Sequence, residues 1–519
     1  MRRKRWFPLT LIVALFSAGP ALRAGPVSTD KWPPALPTAD RNGTATLTTP
    51  DFLKVPEDVQ KVLDEDPHAA RLAVAKTPPT VDLVYDNDLP DAALNGTGWS
   101  AWGDIGLASD GKVYLGTGNH GGPEKGQCFV YCWDPAAKAL KQIADLNKLS
   151  GAGPAEVHVS KVHAGIFEGR DKKIYFTGTL DDGGRAGSPA MLAKWTPHIP
   201  GGLLFQYDPA TGKTVKFVNF PPARVTATTL YDARHNILYC GLEGSREGFA
   251  LGALDMDTKQ WIYQGEPGAV RHNRNMMLDR DGNVYFNGKE DPARYEARLK
   301  VQQAAADRAY AEIVAKAEVA QQNARRKHVP RKPPMKRLPG FATLWKYDPK
   351  TRSIAPTKSH FEEVGIRSST RETKTGCIYG TTMGGRLFRY RPASDELTIL
   401  GSNFLEHGEY ITVCDLSPDE KYVYYLPGAH GSAGRSGTPV IQYEIASGRQ
   451  KALAFLSAPM IKAFNYAPGG TYGIKISADG STLYVGFNGS PAGDSKPQGM
   501  AGGFGLTSFA AVHIPASER

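Results

Sequence analysis

The stretch SKVHAGIFEGRDKKIYFTGT, residues 160–179, holds an apolar approach, a polar Arg-Asp-Lys corner and an alternating run ending in small residues. Its second half, DKKIYFTGT (171–179), recurs along the chain as DGKVYLGTG (110–118), RHNILYCGL (234–242), DGNVYFNGK (281–289), KTGCIYGTT (374–382), DEKYVYYLPG (419–428) and DGSTLYVGF (479–487). Asp/Gly corners before period-two β-branched and aromatic runs are hairpin chemistry. Each run is followed by a second phrase: FVYCWDP, LLFQYDP, GALDMD, LWKYDP, LFRYRP, VIQYEI and FAAVHI. Apolar-x-Tyr-Asp-Pro reads as a strand entering a turn. Seven units without intervening helices imply an all-β fold, a seven-bladed β-propeller of four-stranded antiparallel blades. Within a unit, KVHAGIFEG is strand A, KIYFTGT strand B, LLFQYDP strand C and TVKFVNF strand D. The last unit ends at FAAVHI with little chain left, so TVDLVYD (80–86) is expected to supply its fourth strand and close the ring.

Residues 1–24 open with four basic residues, followed by an apolar stretch too short to span a bilayer and a small-residue region, the build of a secretory signal. Leu22 departs from the small residue favoured three positions before a cut at Ala24. The expected product is exported, periplasmic or extracellular, with no later membrane span. Residues 25–78 are Pro/Thr-rich with one weak helical patch and read as a loosely packed leader, leaving 79–519 as the propeller. Residues 290–339 interrupt blade four between strands B and C. Good helix formers follow Pro292, a helix-starting residue, and a basic, proline-broken strap ends the insertion.

The charge of +10 is local. Residues 1–24 carry five Lys/Arg and no acid, and 294–337 carry twelve Lys/Arg against four Asp/Glu, so the remainder is slightly acidic. This excludes a general polyanion surface, and nucleic acid is not an expected partner. The five cysteines include no C-x-x-C-H or paired C-x₂-C motif. Cys128 and Cys132, four residues apart on a strand, stand roughly 13 Å apart, too far for a disulfide. Small buried hydrophobes are the expectation for most of the five.

Blade geometry places residues before strand A and in the B–C loop on one face of the channel. That face collects His158 and His163 in blade two, His120 in blade one, and Arg271, His272 and Arg274 opening blade four. Arg367 and Arg371 open blade five. His407 and Tyr410 open blade six, whose strand B is followed by His430. Tyr466 and Tyr472 lead into blade seven, and Trp99 and Trp102 open blade one. The opposite face shows ordinary turn residues. A His/Arg/Tyr funnel suits acidic sugars: arginine takes a carboxylate in bidentate fashion, and aromatic rings pack on sugar faces. Neutralising a uronate carboxylate acidifies its C5 proton, which His or Tyr can remove in a β-elimination. Converging histidines could instead hold a divalent metal. Each of these residues also has a structural reading, as a satisfied donor, a blade brace or a packing ring.

GKVYLGTGNHGG, with His120 after strand B, and SKVHAGIFEGRDKKIYF, with His163 at the next strand A, resemble phrases of bacterial secreted seven-bladed propellers that include the oligogalacturonate and ulvan lyases. RHNRNMMLDRDGNVYF and LLFQYDPATGK are similar to generic phrases of that group. The resemblance covers roughly 95–515 as architecture and implies channel-face histidines serving as base or metal ligands. The helical insertion and Pro-rich leader depart from it. The primary expectation is a propeller binding an acidic polysaccharide or a protein partner through this face, with Arg271, His272, Arg367, Arg371, His407, Tyr410 and His430 contacting the ligand. The alternative is a polysaccharide lyase cleaving uronic-acid polymers, with His120 and His163 catalytic. A metal-dependent lactonase-like hydrolase or a quinone-dependent dehydrogenase forms a third class, the quinone version opposed by the lack of repeated tryptophan motifs. Of the opening pair, His163 is the functional candidate and His158 the bystander.

Overall fold

In a computed structural model, the protein is a ring of seven antiparallel sheets, mostly one sheet per sequence unit. The structure describes residues 44–65, 72–85, 99–119, 125–153, 157–180, 201–221, 225–245, 248–266, 268, 270, 275–289, 292–320, 342–362, 365–402, 411–428, 436–491 and 506–519. Each repeated aromatic run is strand B, as in Val113–Gly118, Ile174–Leu180 and Val284–Gly288, and each Tyr-Asp-type phrase is strand C. In these three blades strand B is buried along its whole length because both its faces meet neighbouring blades. Strand A is short in several blades, two residues at Gly106–Leu107 and Met277–Leu278.

Ring closure follows the sequence expectation. Thr80–Tyr85 pairs antiparallel with Leu506–His513, from Thr80 opposite His513 to Tyr85 opposite Ser508. The structure adds Thr44–Thr48 outside Thr80–Tyr85 as a fifth strand. Leu72–Val74 pairs in parallel with Gln450–Phe455 of blade six. Between them, Phe52 is fully buried in the core of blades six and seven, and Val59 of helix Glu57–Glu65 is buried against blade six. The described part of the segment read as a loose leader is therefore packed, its apolar residues covering the outer strands of the closing blades. The chain's end locks the same region. The Glu518 carboxylate accepts from the Lys76 and Thr77 N–H groups (2.7 and 3.0 Å) and pairs with Lys451 at 2.9 Å.

The seams between blades are joined by recurring devices. The Phe-Asn-Gly endings of strand B in blades four and seven place Asn287 and Asn488 against the next blade's strand A. Asn488 accepts from the Ala101 N–H (2.5 Å) and donates to the Ala101 carbonyl (2.8 Å). Asn287 accepts from the Ile366 N–H at 2.9 Å and donates weakly to the Ile366 carbonyl at 3.4 Å. On the opposite face, side chains near the end of one blade's strand A take N–H groups from the preceding blade's turn. Glu168 accepts from Ser109, the Tyr231 hydroxyl from Arg170, Glu372 from Arg280 and Glu420 from Lys374, at 2.6–3.1 Å. The ordinary turn chemistry of that face is a chain of inter-blade ties.

Asp82 joins the closing strand to three other elements. Only 2% exposed, it takes hydrogen bonds from Thr46 and from Lys138 Nζ (3.0 Å), and lies 3.0 Å from His513 Nε2. Burial alone would raise this carboxyl, but the bonds from His513, Thr46 and Lys138 outweigh it and hold it at about 2, below its ordinary 3.8. A carboxyl depressed by folding stabilises above its unfolded pKa and loses that contribution as pH falls through the folded value. Asp82→Asn is therefore expected to lower stability by about 2 kcal/mol at pH 7. The difference from wild type should shrink below pH 4 and vanish near pH 2. Denaturant midpoints across that range check this; a deficit that stays constant with pH would contradict it.

Helix Pro292–Ala320 stands between the second and third strands of blade four, with Arg294 reaching His360 (3.2 Å) and the Lys358 carbonyl (3.2 Å) on the outer strand. The basic strap that ends the insertion lies outside the described residues. All five cysteines are buried and unpaired, as expected for small hydrophobes. No described helix is long and apolar enough to cross a membrane.

Candidate functional site

The innermost strands converge on a central cavity of about 390 Å³. His163 and Trp102 line its mouth, with Arg367 and Tyr472. Asp104, Asp415, Lys475 and Arg371 line it further in. Strand A runs inward from the face of the B–C loops, so Tyr472 lies nearer that face than Lys475, three residues further along Tyr466–Ile476.

His163 reaches the cavity because strand A of blade two is broken. Val159–Lys161 pairs with the far end of strand B and Phe167–Glu168 with its beginning. Residues 162–166 bulge between them, and the Ile166 N–H is tied to the Asp104 carbonyl of blade one at 3.1 Å. The blades touch closely here. A Cβ on Gly103 would lie 2.3 Å from the Ala164 carbonyl oxygen, and one on Gly118 would lie 1.9 Å from that of Ser160. His163 is 7% exposed within this bulge. His158 lies outside the cavity lining, its Nε2 3.0 Å from the Gly153 carbonyl oxygen.

Arg367 is 4% exposed, its guanidinium carbon 6.0 Å from the centroid of the Tyr472 ring. Tyr472 packs in turn on Trp102, centroids 4.9 Å apart. The Trp102 indole N–H donates to Ser100 Oγ at 2.6 Å, which orients the ring. The three residues come from blades five, seven and one. They bring a cation and two aromatic faces to one mouth, a cation–π arrangement. Tyr466 and Trp99 are fully buried packing residues.

Arg371 lines the same cavity as Arg367 but lower down, not at the opening of blade five. It lies past the end of strand Ile366–Ser369, towards the opposite face. Its guanidinium donates to Glu420 at 2.6 Å and to the Ser417 carbonyl at 3.3 Å, bracing blade five on blade six.

The deeper wall carries a cluster that reading the sequence for His, Arg and Tyr did not anticipate. Lys475 Nζ donates to Asp104 Oδ2. The Ile474 N–H donates to Asp104 Oδ1 (3.0 Å) and the Ile476 N–H to Asp415 Oδ2 (2.9 Å). Ile474 and Ile476 alternate with Lys475, so these N–H groups point away from the blade's own ladder, into the channel. Carboxylates from blades one and six satisfy them, as an unpaired strand edge requires. Burial raises both carboxyls, an effect that Lys475 only partly offsets. Burial opposes the Lys475 ammonium, but Asp104 and Asp415 outweigh it and its pKa is raised. The lysine therefore stays cationic and is unsuited to act as an amine nucleophile.

His120, Arg271, His272, His407, Tyr410 and His430 lie outside the described residues. Among the described residues, no group of three or more His, Cys, Asp or Glu side chains is placed to hold a metal ion.

No family model matches the chain, and no curated protein matches it. Among solved structures, a chain of the "Crystal Structure of Mitotic Checkpoint Complex" is similar at 12% identity and a TM-score of 0.44, covering 85% of this chain and 93% of that one.

Proposed function

We propose that this propeller binds an acidic glycan at the mouth of its channel. The observation that carries the reading is the Arg367–Tyr472–Trp102 arrangement in the wall of a 390 Å³ cavity. A guanidinium suits a carboxylate, aromatic faces suit the C–H face of a sugar ring, and Asn275 and Thr228 add polar groups to the same lining. The volume lies near the small end of ligand pockets, which matches a short oligosaccharide. Calorimetric titration with uronate-containing oligosaccharides and their neutral counterparts tests this. Binding confined to the acidic members is expected; equal binding of the neutral ones would sink the reading.

One observation favours a catalytic version, a lyase acting by β-elimination: His163 lines the same cavity as Arg367. Elimination needs a proton acceptor beside a neutralised carboxylate, and these residues supply both types. Growth of ultraviolet absorbance from an unsaturated product, abolished in His163→Ala with binding retained, supports this version. Binding without any such product returns the protein to the non-catalytic reading.

A further inference from the structure

The channel is electrically uneven along its depth, and this bears on which acidic glycan it takes. At the mouth the described charge is Arg367, backed by Tyr472. Further in, two carboxylates flank one ammonium: Asp104 from blade one, Asp415 from blade six and Lys475 between them. The other cation there, Arg371, is already committed to Glu420 at 2.6 Å. With these groups ionised, the deep wall carries one net negative charge.

We infer, on the reading that this channel binds an acidic glycan, that its ligand is a mixed acidic sugar with a carboxylate at the mouth and a neutral, hydroxyl-bearing ring at the depth, rather than a run of uronates. A second uronate would put its carboxylate against Asp104 and Asp415, where like charges repel. A neutral ring meets a better match. The Asp104 and Asp415 oxygens accept single hydrogen bonds from Ile474, Lys475, Leu416 and Ile476, and a carboxylate oxygen can accept a second. Lys475 has three N–H donors and gives one to Asp104. Sugar hydroxyls both donate and accept, so they pair with either kind of group. Burial already disfavours the ionised form of both carboxyls, and a further anion would add to that cost.

The test compares two disaccharides on the full chain at pH 7 by calorimetry: glucuronosyl-xylose, with one carboxylate, and digalacturonate, with two. The first is expected to bind at least tenfold more tightly. Asp415→Asn, which keeps an oxygen for one of the two N–H bonds, is expected to narrow the gap to threefold or less. If that variant fails to fold, the wild-type ratio alone decides. Equal or tighter binding of digalacturonate overturns this inference and leaves the channel-binding reading standing. Failure of both sugars to bind folded protein overturns both.

Discussion

Leu83→Asp is expected to leave the protein unable to close its ring. Leu83 is fully buried in strand Thr80–Tyr85, opposite Ala510 on one side and Ala45 on the other. It packs in the cluster that includes Val81, Leu483, Val485 and Val512. Nothing apolar at that site can stabilise an ionised carboxylate, and burying even a neutral acid without partners costs several kcal/mol. The milder Leu83→Ala is expected to cost about 2–5 kcal/mol from lost burial and the cavity left behind. This strand joins a segment near residue 80 to one near 510, so its loss opens the ring at one seam instead of thinning one sheet. Size-exclusion chromatography and denaturant unfolding check it: an expanded or aggregating Leu83→Asp protein is expected, and a wild-type unfolding midpoint would contradict the closure described above.

The second large effect separates two arginines that look alike in sequence. Arg367→Ala is expected to weaken acidic-oligosaccharide binding by thirtyfold or more, as removal of one partner from a desolvated charge pair costs about 2–5 kcal/mol. Arg371→Ala is expected to change binding less than threefold. Its side chain is half exposed and tied to Glu420 across a seam, an exposed pair worth about 1 kcal/mol or less of stability. Titrating both variants with one oligosaccharide checks the contrast. Equal losses would contradict the assignment of the ligand's carboxylate to Arg367.

These two arginines also show how much of the site the sequence made legible. Period-two runs with Asp/Gly corners gave the seven blades, and Thr80–Tyr85 was recognisable as the missing strand because the last unit lacked one. Val59, Val62 and Leu63 of EDVQKVLDE had helical spacing, yet only the structure shows them packed against blade six. The parallel pairing of Leu72–Val74 left no local signal, since its partner lies almost four hundred residues away. Blade logic put Arg367 and His163 at the channel. It put Arg371 with Arg367 at the opening of blade five, whereas strand A already begins at Ile366 and Arg371 follows its end, lower in the same cavity. The bulge presenting His163 was signalled faintly by Ala164–Gly165. The Asp104–Lys475–Asp415 cluster was hidden for another reason: its members come from three blades, and each is ordinary in its own phrase.

The most direct test of the account is where a bound acidic oligosaccharide protects the backbone. Hydrogen–deuterium exchange of the full chain with and without glucuronosyl-xylose is expected to show slowed exchange in peptides covering 99–104, 366–371 and 466–476, from the blades that supply Trp102, Arg367 and Tyr472. Protection confined to helix Pro292–Ala320 or to the outer strands, with those three segments unchanged, would contradict it.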